Sequence, residues 1–273
     1  MTMEEILIFT DEERREVQEL EKKLIENTHG GIPDADYEFI RGKIGTAISE
    51  GRIVRDTLGF NPVVTDMQTA SLVGQEIGFQ HEIVTSILLN RCVQTGCVSI
   101  DEVRGQFGEN AAKILTNLAQ INALYAKSPT IETENFRNLL LSFTNDMRVI
   151  LIMIASRLVL LRALFSHEDT DARIMVAREA SKLYIPLAHK LGFYKLKSEM
   201  EDLALRYTES EVYAELSRKL ETNDVQATVC LNRAFDDCSP EGTSILYMTS
   251  IFAGDEWSKV SVADYYKTTN KAK

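Results

Sequence analysis

An all-α fold is what this sequence predicts. Apolar residues recur at three- and four-residue intervals through most of the chain. Two Ser/Thr-x-x-Glu signals stand just ahead of such runs, and no segment sustains the period-two alternation of a half-buried strand. Thr10-Asp11-Glu12-Glu13 opens the first helix, with Leu20, Leu24 and Ile25 as its apolar edge and Gly30-Gly31 and Pro33 as its end. The second is expected over 34–49, where Tyr37, Ile40, Ile44 and Ile48 keep helical spacing. Residues 51–62 read as a loop, and helices follow near 66–77 and 81–94. Ser99-Ile100-Asp101-Glu102 starts a short helix that Gly108 closes, and another covers 110–125. Beyond Ser128-Pro129 the longest helical pattern runs over 134–165. One helix over 169–190 comes next, with Pro186 near its end. Gly192 separates it from a helix reaching Tyr207, and 209–220 completes the series. From Glu221 the chain turns polar and poor in leucine, and 243–252 and 257–266 are candidates for short strands or disorder. The division that follows is 1–33 as an N-terminal helix and linker, 34–220 as one multi-helix domain, and 221–273 as a divergent tail.

Composition narrows the function classes. The 273 residues carry a net charge of -11, which disfavours a chain built mainly to grip nucleic-acid phosphates. The N-terminus lacks a basic segment ahead of an apolar core, so no signal peptide is expected. The most apolar stretch, 149–165, is interrupted by Ser156, Arg157 and Arg162, so a buried helix is expected and no membrane span. Cys92, Cys97, Cys230 and Cys238 form no CxxC pair, and reduced thiols in a cytoplasmic location follow. His29, His81, His167 and His189 have no second His or Cys at ligand spacing. His167 with Glu168 and Asp169 is weighed as a metal set and set below an exposed helix start.

Two long segments carry a family resemblance. Phe136-Arg137-Asn138-Leu139-Leu140-Leu141, continuing through Asn145-Asp146-Met147-Arg148-Val149-Ile150-Leu151-Ile152, resembles FRKMLLAMxxDVRVVLIKLADR. Tyr184-Ile185-Pro186-Leu187-Ala188-His189-Lys190-Leu191-Gly192, with Lys195 to Ala204, is similar to YAPLAxRLGxxxLKxELEDLAFRY. Both motifs belong to the N-terminal hydrolase domain of the bacterial RelA/SpoT alarmone enzymes. The resemblance implies a compact helical HD-type metallohydrolase that removes pyrophosphate from the 3′ position of ppGpp or pppGpp, with manganese in active relatives.

The same resemblance places the family's chemistry on this chain. Ser86 to Thr95 aligns with AxLLHDVVEDT, and Val98 to Val103 aligns with the VTLEDI that follows. Asn90 then stands at the family's His and Arg91 at its Asp, while Gln94 and Thr95 replace the Glu-Asp pair assigned to the attacking water. The first family His, in EPYxxHP, falls at Asp66, and the last ligand Asp, in LADRLHN, becomes Ser156. Arg91 stays charged and cannot ligate a cation, so it sets positive charge where the metal would lie. Of these positions only Asp66 keeps ligand character, and two water-activating carboxylates are lost. The expectation is no catalytic residue, no metal and no cofactor.

Arg55, Arg148, Arg157 and Arg162 remain as candidates for holding guanosine phosphates. The competing reading pairs them with carboxylates such as Asp146 or Glu179, and it is the one favoured. The synthetase motif of the long family proteins, GRxKSxxSI, is absent from 221–273. The leading expectation is a non-hydrolysing RelA/SpoT hydrolase-like domain with a structural or regulatory role. A guanosine-nucleotide binding module is the alternative, and an active hydrolase is the reading the substitutions oppose. Guanosine nucleotides, a synthetase domain or a second copy of this chain are the partners these readings imply.

Overall fold

The computed structural model describes residues 9–27, 33–127 and 146–221, with two short stretches at 230–231 and 247–248. Expected features over 134–145 and 257–266, and His29, lie outside these residues. Among the described residues the fold is all-α apart from one two-residue antiparallel pair, β1 (Cys230–Leu231) with β2 (Tyr247–Met248). The chain forms two compact units, Met1–His167 and Glu168–Lys273. The division falls inside the segment 34–220 that the sequence groups as one domain. There the helical path stops at His167, which is extended at φ -76° and ψ 136°.

The first unit holds α1 (Asp11–Asn27), α2 (Asp34–Ser49), α3 (Pro62–Ile77), α4 (His81–Gln94), α5 (Ile100–Lys127) and α6 (Met147–Ala163). Both predicted capping boxes form. The Thr10 N–H donates to Glu13 Oε2 at 2.9 Å and the Glu13 N–H to Thr10 Oγ1 at 3.1 Å. The Ser99 N–H donates to Glu102 Oε2 at 2.8 Å and the Glu102 N–H to Ser99 Oγ at 3.1 Å. Each box satisfies two backbone donors that the helix cannot use itself. Gly108, at φ 84°, breaks the helical path inside α5 where the sequence placed a boundary.

Helix α3 begins earlier than expected, at Pro62 and not Asp66. The reason is local. Asn61 accepts from the Val63 N–H at 3.1 Å, and Pro62 fills the first helical position, where its missing N–H costs nothing. Ten residues of α3 are buried. It packs against α1, α4 and α6, while α4 packs against α2 and α5. Helix α6 is apolar on nearly all sides, with Val149, Ile150, Leu151, Ile152, Ile154, Ala155, Leu158, Val159 and Leu161 buried. Among the described residues, Met147–Ser166 is the one helical stretch long and apolar enough to cross a membrane, and more than half of its most apolar window is buried inside the protein. Burial against neighbouring helices accounts for that composition.

The second unit holds α7 (Thr170–Glu179), α8 (Ile185–Lys190), α9 (Tyr194–Thr208) and α10 (Ser210–Glu221). Helix α9 packs on α7, α8 and α10. A single helix over 169–190 was expected, but residues Ala180–Tyr184 form a π-helical turn between α7 and α8. Pro186 explains the widened turn. It has no N–H to donate to the carbonyl four residues back, and its ring would crowd that carbonyl in an α-helix. Gly192, at φ 80°, reverses the chain into α9. On α9, Lys197 Nζ donates to Glu201 Oε2 at 2.8 Å, which pairs a buried carboxylate.

Candidate functional site

Of the six positions that the resemblance marks, α3 carries Asp66, α4 carries Asn90, Arg91 and Gln94, Thr95 follows at the end of α4, and α6 carries Ser156. Asp66 lies one turn into α3, between buried Val63, Val64 and Met67, so its carboxylate starts from an apolar wall. Arg91 lies in the last turn of α4. Its Nε donates to Asp66 Oδ2 at 2.7 Å, which joins two residues that lie on neighbouring packed helices. The Asp66 side chain keeps 18% of its exposure and that of Arg91 keeps 36%. Burial pushes the Asp66 carboxyl up to about 6, and the charge and hydrogen bond of the Arg91 guanidinium oppose that rise.

Thr95 caps α4, and its Oγ1 donates to the Arg91 carbonyl at 2.8 Å. Gln94 and Ser156 are exposed, and Asn90 is half-buried. Cys92, next to Arg91, is fully buried. Burial and the neighbouring charges of Cys97 and Asp66 push its thiol up to about 12.

A divalent cation does not fit these residues. Among the described residues, no group of three or more His, Cys, Asp or Glu side chains is placed to hold one. Asp66 is already bound by a guanidinium. A divalent ion about 4 Å from that charge would meet a repulsion of roughly 8 kcal/mol at an effective dielectric of about 20.

The candidate nucleotide arginines are placed as follows. Arg55, in the loop before α3, binds both carboxylate oxygens of Glu13, at 2.9 and 2.8 Å, and donates to the Gly59 carbonyl at 2.9 Å. Asn61 adds a bond to Glu13 Oε2 at 3.3 Å. Burial alone would raise the Glu13 carboxyl, but the Arg55, Thr10 and Asn61 hydrogen bonds outweigh it and hold the group below its usual range. The sequence marks Arg55 as a candidate and Glu13 as part of a capping box but does not pair them, since no periodicity links residues 42 positions apart. Arg148 binds Asp146 through two hydrogen bonds, at 2.8 and 2.7 Å, and lies 3.8 Å from Glu82 at the start of α4. The Asp146 bond raises the Arg148 pKa in turn, and it lowers that of Asp146. Glu82 and Arg91 stand at opposite ends of α4, about 13 Å apart along its axis. Arg157 is half-buried, and Arg162 lines a cleft of about 370 Å³ with Lys23, Gln68 and Gln75.

The histidines are placed structurally. His167 Nε2 lies 3.1 Å from the Leu58 carbonyl, and its ring centroid is 5.5 Å from that of Phe60, which ties the loop before α3. Asp169, weighed with His167 as a metal set, caps α7 by accepting from the Ala172 N–H at 3.0 Å. His81 Nε2 is 3.3 Å from Asp36 Oδ2, and the ring of His189 lies 5.9 Å from that of Tyr194.

Comparison with known proteins adds to this geometry. Residues 55–194 match the HD domain family. A guanosine-3′,5′-bis(diphosphate) 3′-pyrophosphohydrolase of Aquifex aeolicus is 30% identical over 177 residues, covering 65% of this chain and 24% of that protein. A GTP pyrophosphokinase of Myxococcus xanthus is 26% identical over 194 residues, covering 69% of this chain and 25% of that protein. The bifunctional (p)ppGpp synthase/hydrolase SpoT of Escherichia coli K12 is 29% identical over 143 residues, covering 52% of this chain and 20% of that protein. The chain thus spans about a quarter or less of the length of these curated relatives.

Proposed function

Because the chain belongs to the HD domain family, as a RelA/SpoT-type member, we propose that it is a (p)ppGpp hydrolase-like domain that no longer hydrolyses. Its role is then structural or regulatory within alarmone metabolism. One observation carries this reading. Arg91 stands where the resemblance places a metal-binding aspartate, and its Nε lies 2.7 Å from Asp66, the one marked position that keeps ligand character. The pair satisfies the buried carboxylate without a cation. Gln94 and Thr95 supply no carboxylate to activate water, and Thr95 is spent on capping α4.

The test has two arms. The purified chain, incubated with ppGpp and manganese, is expected to release no pyrophosphate above the buffer blank. The triple variant Asn90→His, Arg91→Asp, Ser156→Asp is expected to bind manganese in a calorimetric titration where the parent does not. Turnover by the parent at ordinary enzyme rates would refute the proposal. A triple variant that folds yet stays blind to manganese would show that the positions assigned through the resemblance are wrong.

A further inference from the structure

Helix α4 ends in a Schellman-type cap. Gly96 takes φ 72°, a left-handed conformation that glycine adopts without a steric penalty. The Gly96 N–H donates to the Val93 carbonyl at 3.1 Å, and the Cys97 N–H donates to the Cys92 carbonyl at 2.8 Å. In this motif the residues at the two ends of the longer bond bring their side chains into contact, usually an apolar one. Here both residues are cysteines, and both thiols are free. Standard backbone dimensions and the 2.8 Å bond hold the two Cα atoms within about 6.7 Å of each other. A disulfide spans Cα separations of about 4.4–6.8 Å.

Access differs between the two sulfurs. Cys92 is fully buried in α4, whereas Cys97 is partly exposed. Cys97 lines a surface cleft of about 410 Å³ with Lys43, Thr46 and Arg52, and its Sγ sits 3.6 Å from the Lys43 carbonyl. An oxidant the size of a peroxide reaches Cys97 from that cleft.

We propose that Cys92 and Cys97 are a dithiol that hydrogen peroxide oxidises to a disulfide across the α4 cap. The Cys97 sulfur, as thiolate, attacks one peroxide oxygen. The O–O bond breaks, a sulfenic acid forms on Cys97, and the second oxygen leaves as water with the thiol proton. The Cys92 sulfur then attacks the sulfenic sulfur, and the S–S bond forms as the hydroxyl leaves with the Cys92 proton as a second water. Two thiols are oxidised by two electrons, and one peroxide is reduced to two waters. The bond ties the last turn of α4, which carries Arg91 and Gln94 and ends in the cap residue Thr95, to the loop that follows it. Arg52 already holds this end, through Nη1 to the Thr95 carbonyl at 3.1 Å.

The inference is independent of whether the domain hydrolyses, and its test reads mass only. Trypsin cuts after Arg91 and Arg104, so both cysteines fall on the single peptide 92–104. The native full chain is treated with hydrogen peroxide, alkylated, digested and weighed. That peptide is expected to be lighter by two hydrogens and to carry no alkyl group, and to become doubly alkylated after reduction. Cys97→Ser is expected to lose the mass change. A doubly alkylated peptide after peroxide, a sulfinic acid on Cys97, or a link from either residue to Cys230 or Cys238 would overturn the proposal. The deciding measurement is made on the parent chain, so it does not depend on a variant folding.

Discussion

Replacing Arg91 by methionine is expected to destabilise the first unit by about 2 kcal/mol at neutral pH. Breaking a buried ion pair by removing one partner costs about 3–5 kcal/mol, whereas an exposed pair is worth about 0–1 kcal/mol. With 18% of the Asp66 side chain and 36% of the Arg91 side chain exposed, this pair lies between those limits. For a domain of this size the loss lowers the melting temperature by about 4–8 °C, read by far-ultraviolet circular dichroism. The loss depends on pH in a defined sense. In the parent the Asp66 carboxyl already titrates near 6, above the unfolded value of about 3.9. Its folded form therefore holds a proton longer than its unfolded form, and stability falls as pH rises through that window. Without Arg91 the folded value moves higher still, so the deficit of the variant grows from pH 5 to pH 8. The double variant Asp66→Ala, Arg91→Met is expected to recover to within about 1 kcal/mol of the parent, because no unpaired charge is left buried. A single variant as stable as the parent at pH 8, or a double variant that loses the sum of both single losses, would refute the assignment of Arg91 as the partner of a buried carboxylate.

Two further outcomes follow from local geometry. Glu13→Ala removes the α1 capping box together with both bonds to Arg55, and a loss of about 2 kcal/mol is expected in urea denaturation. Because the folded pKa of Glu13 is depressed, its contribution is present above the unfolded value and lost as pH falls through the folded one, so parent and variant should converge in acid. Gly74→Ala would place a Cβ within the contact shell of the Phe79 ring, and a cost of about 1–3 kcal/mol is expected from the same assay. An unchanged midpoint would show that the ring has room to move.

What the sequence discloses and what it withholds divide along physical lines. Capping boxes are written in four adjacent residues, so the starts of α1 and α5 were readable. Gly108 and Gly192 mark breaks because only glycine tolerates their backbone angles. The start of α3 was not readable, since Asn61-Pro62 serves a loop and a helix N-terminus equally well. The π-helical turn at Ala180–Tyr184 was not readable, because a proline near a helix end leaves the same sequence mark whether the turn before it is regular or widened. For the site, the substitutions at Asn90, Arg91 and Ser156 were legible by resemblance. The bond between Asp66 and Arg91 was not, because it depends on how α3 lies against α4 and not on either helix alone. Arg55 shows the same limit from the other side: its charge is plain in the sequence, but Glu13, far along the chain, decides what it faces. Arg148 shows no such limit, since its partner Asp146 is only two residues away and is legible in the sequence.

Helix α6 carries a consequence for synthesis. A segment this apolar is a hazard whenever it stands in water, and chains leave the ribosome N-terminus first at about 5–20 residues per second. Its principal neighbour, α3, precedes it in the chain, as does α5, which also packs on it. The surfaces that receive α6 are therefore made first, and the interval in which chaperones or membranes compete for it is short. A circular permutation that moved 147–163 to the front of the chain would keep every native contact and still lengthen that interval. Such a chain would be expected to aggregate during synthesis even where its refolding from denaturant is normal.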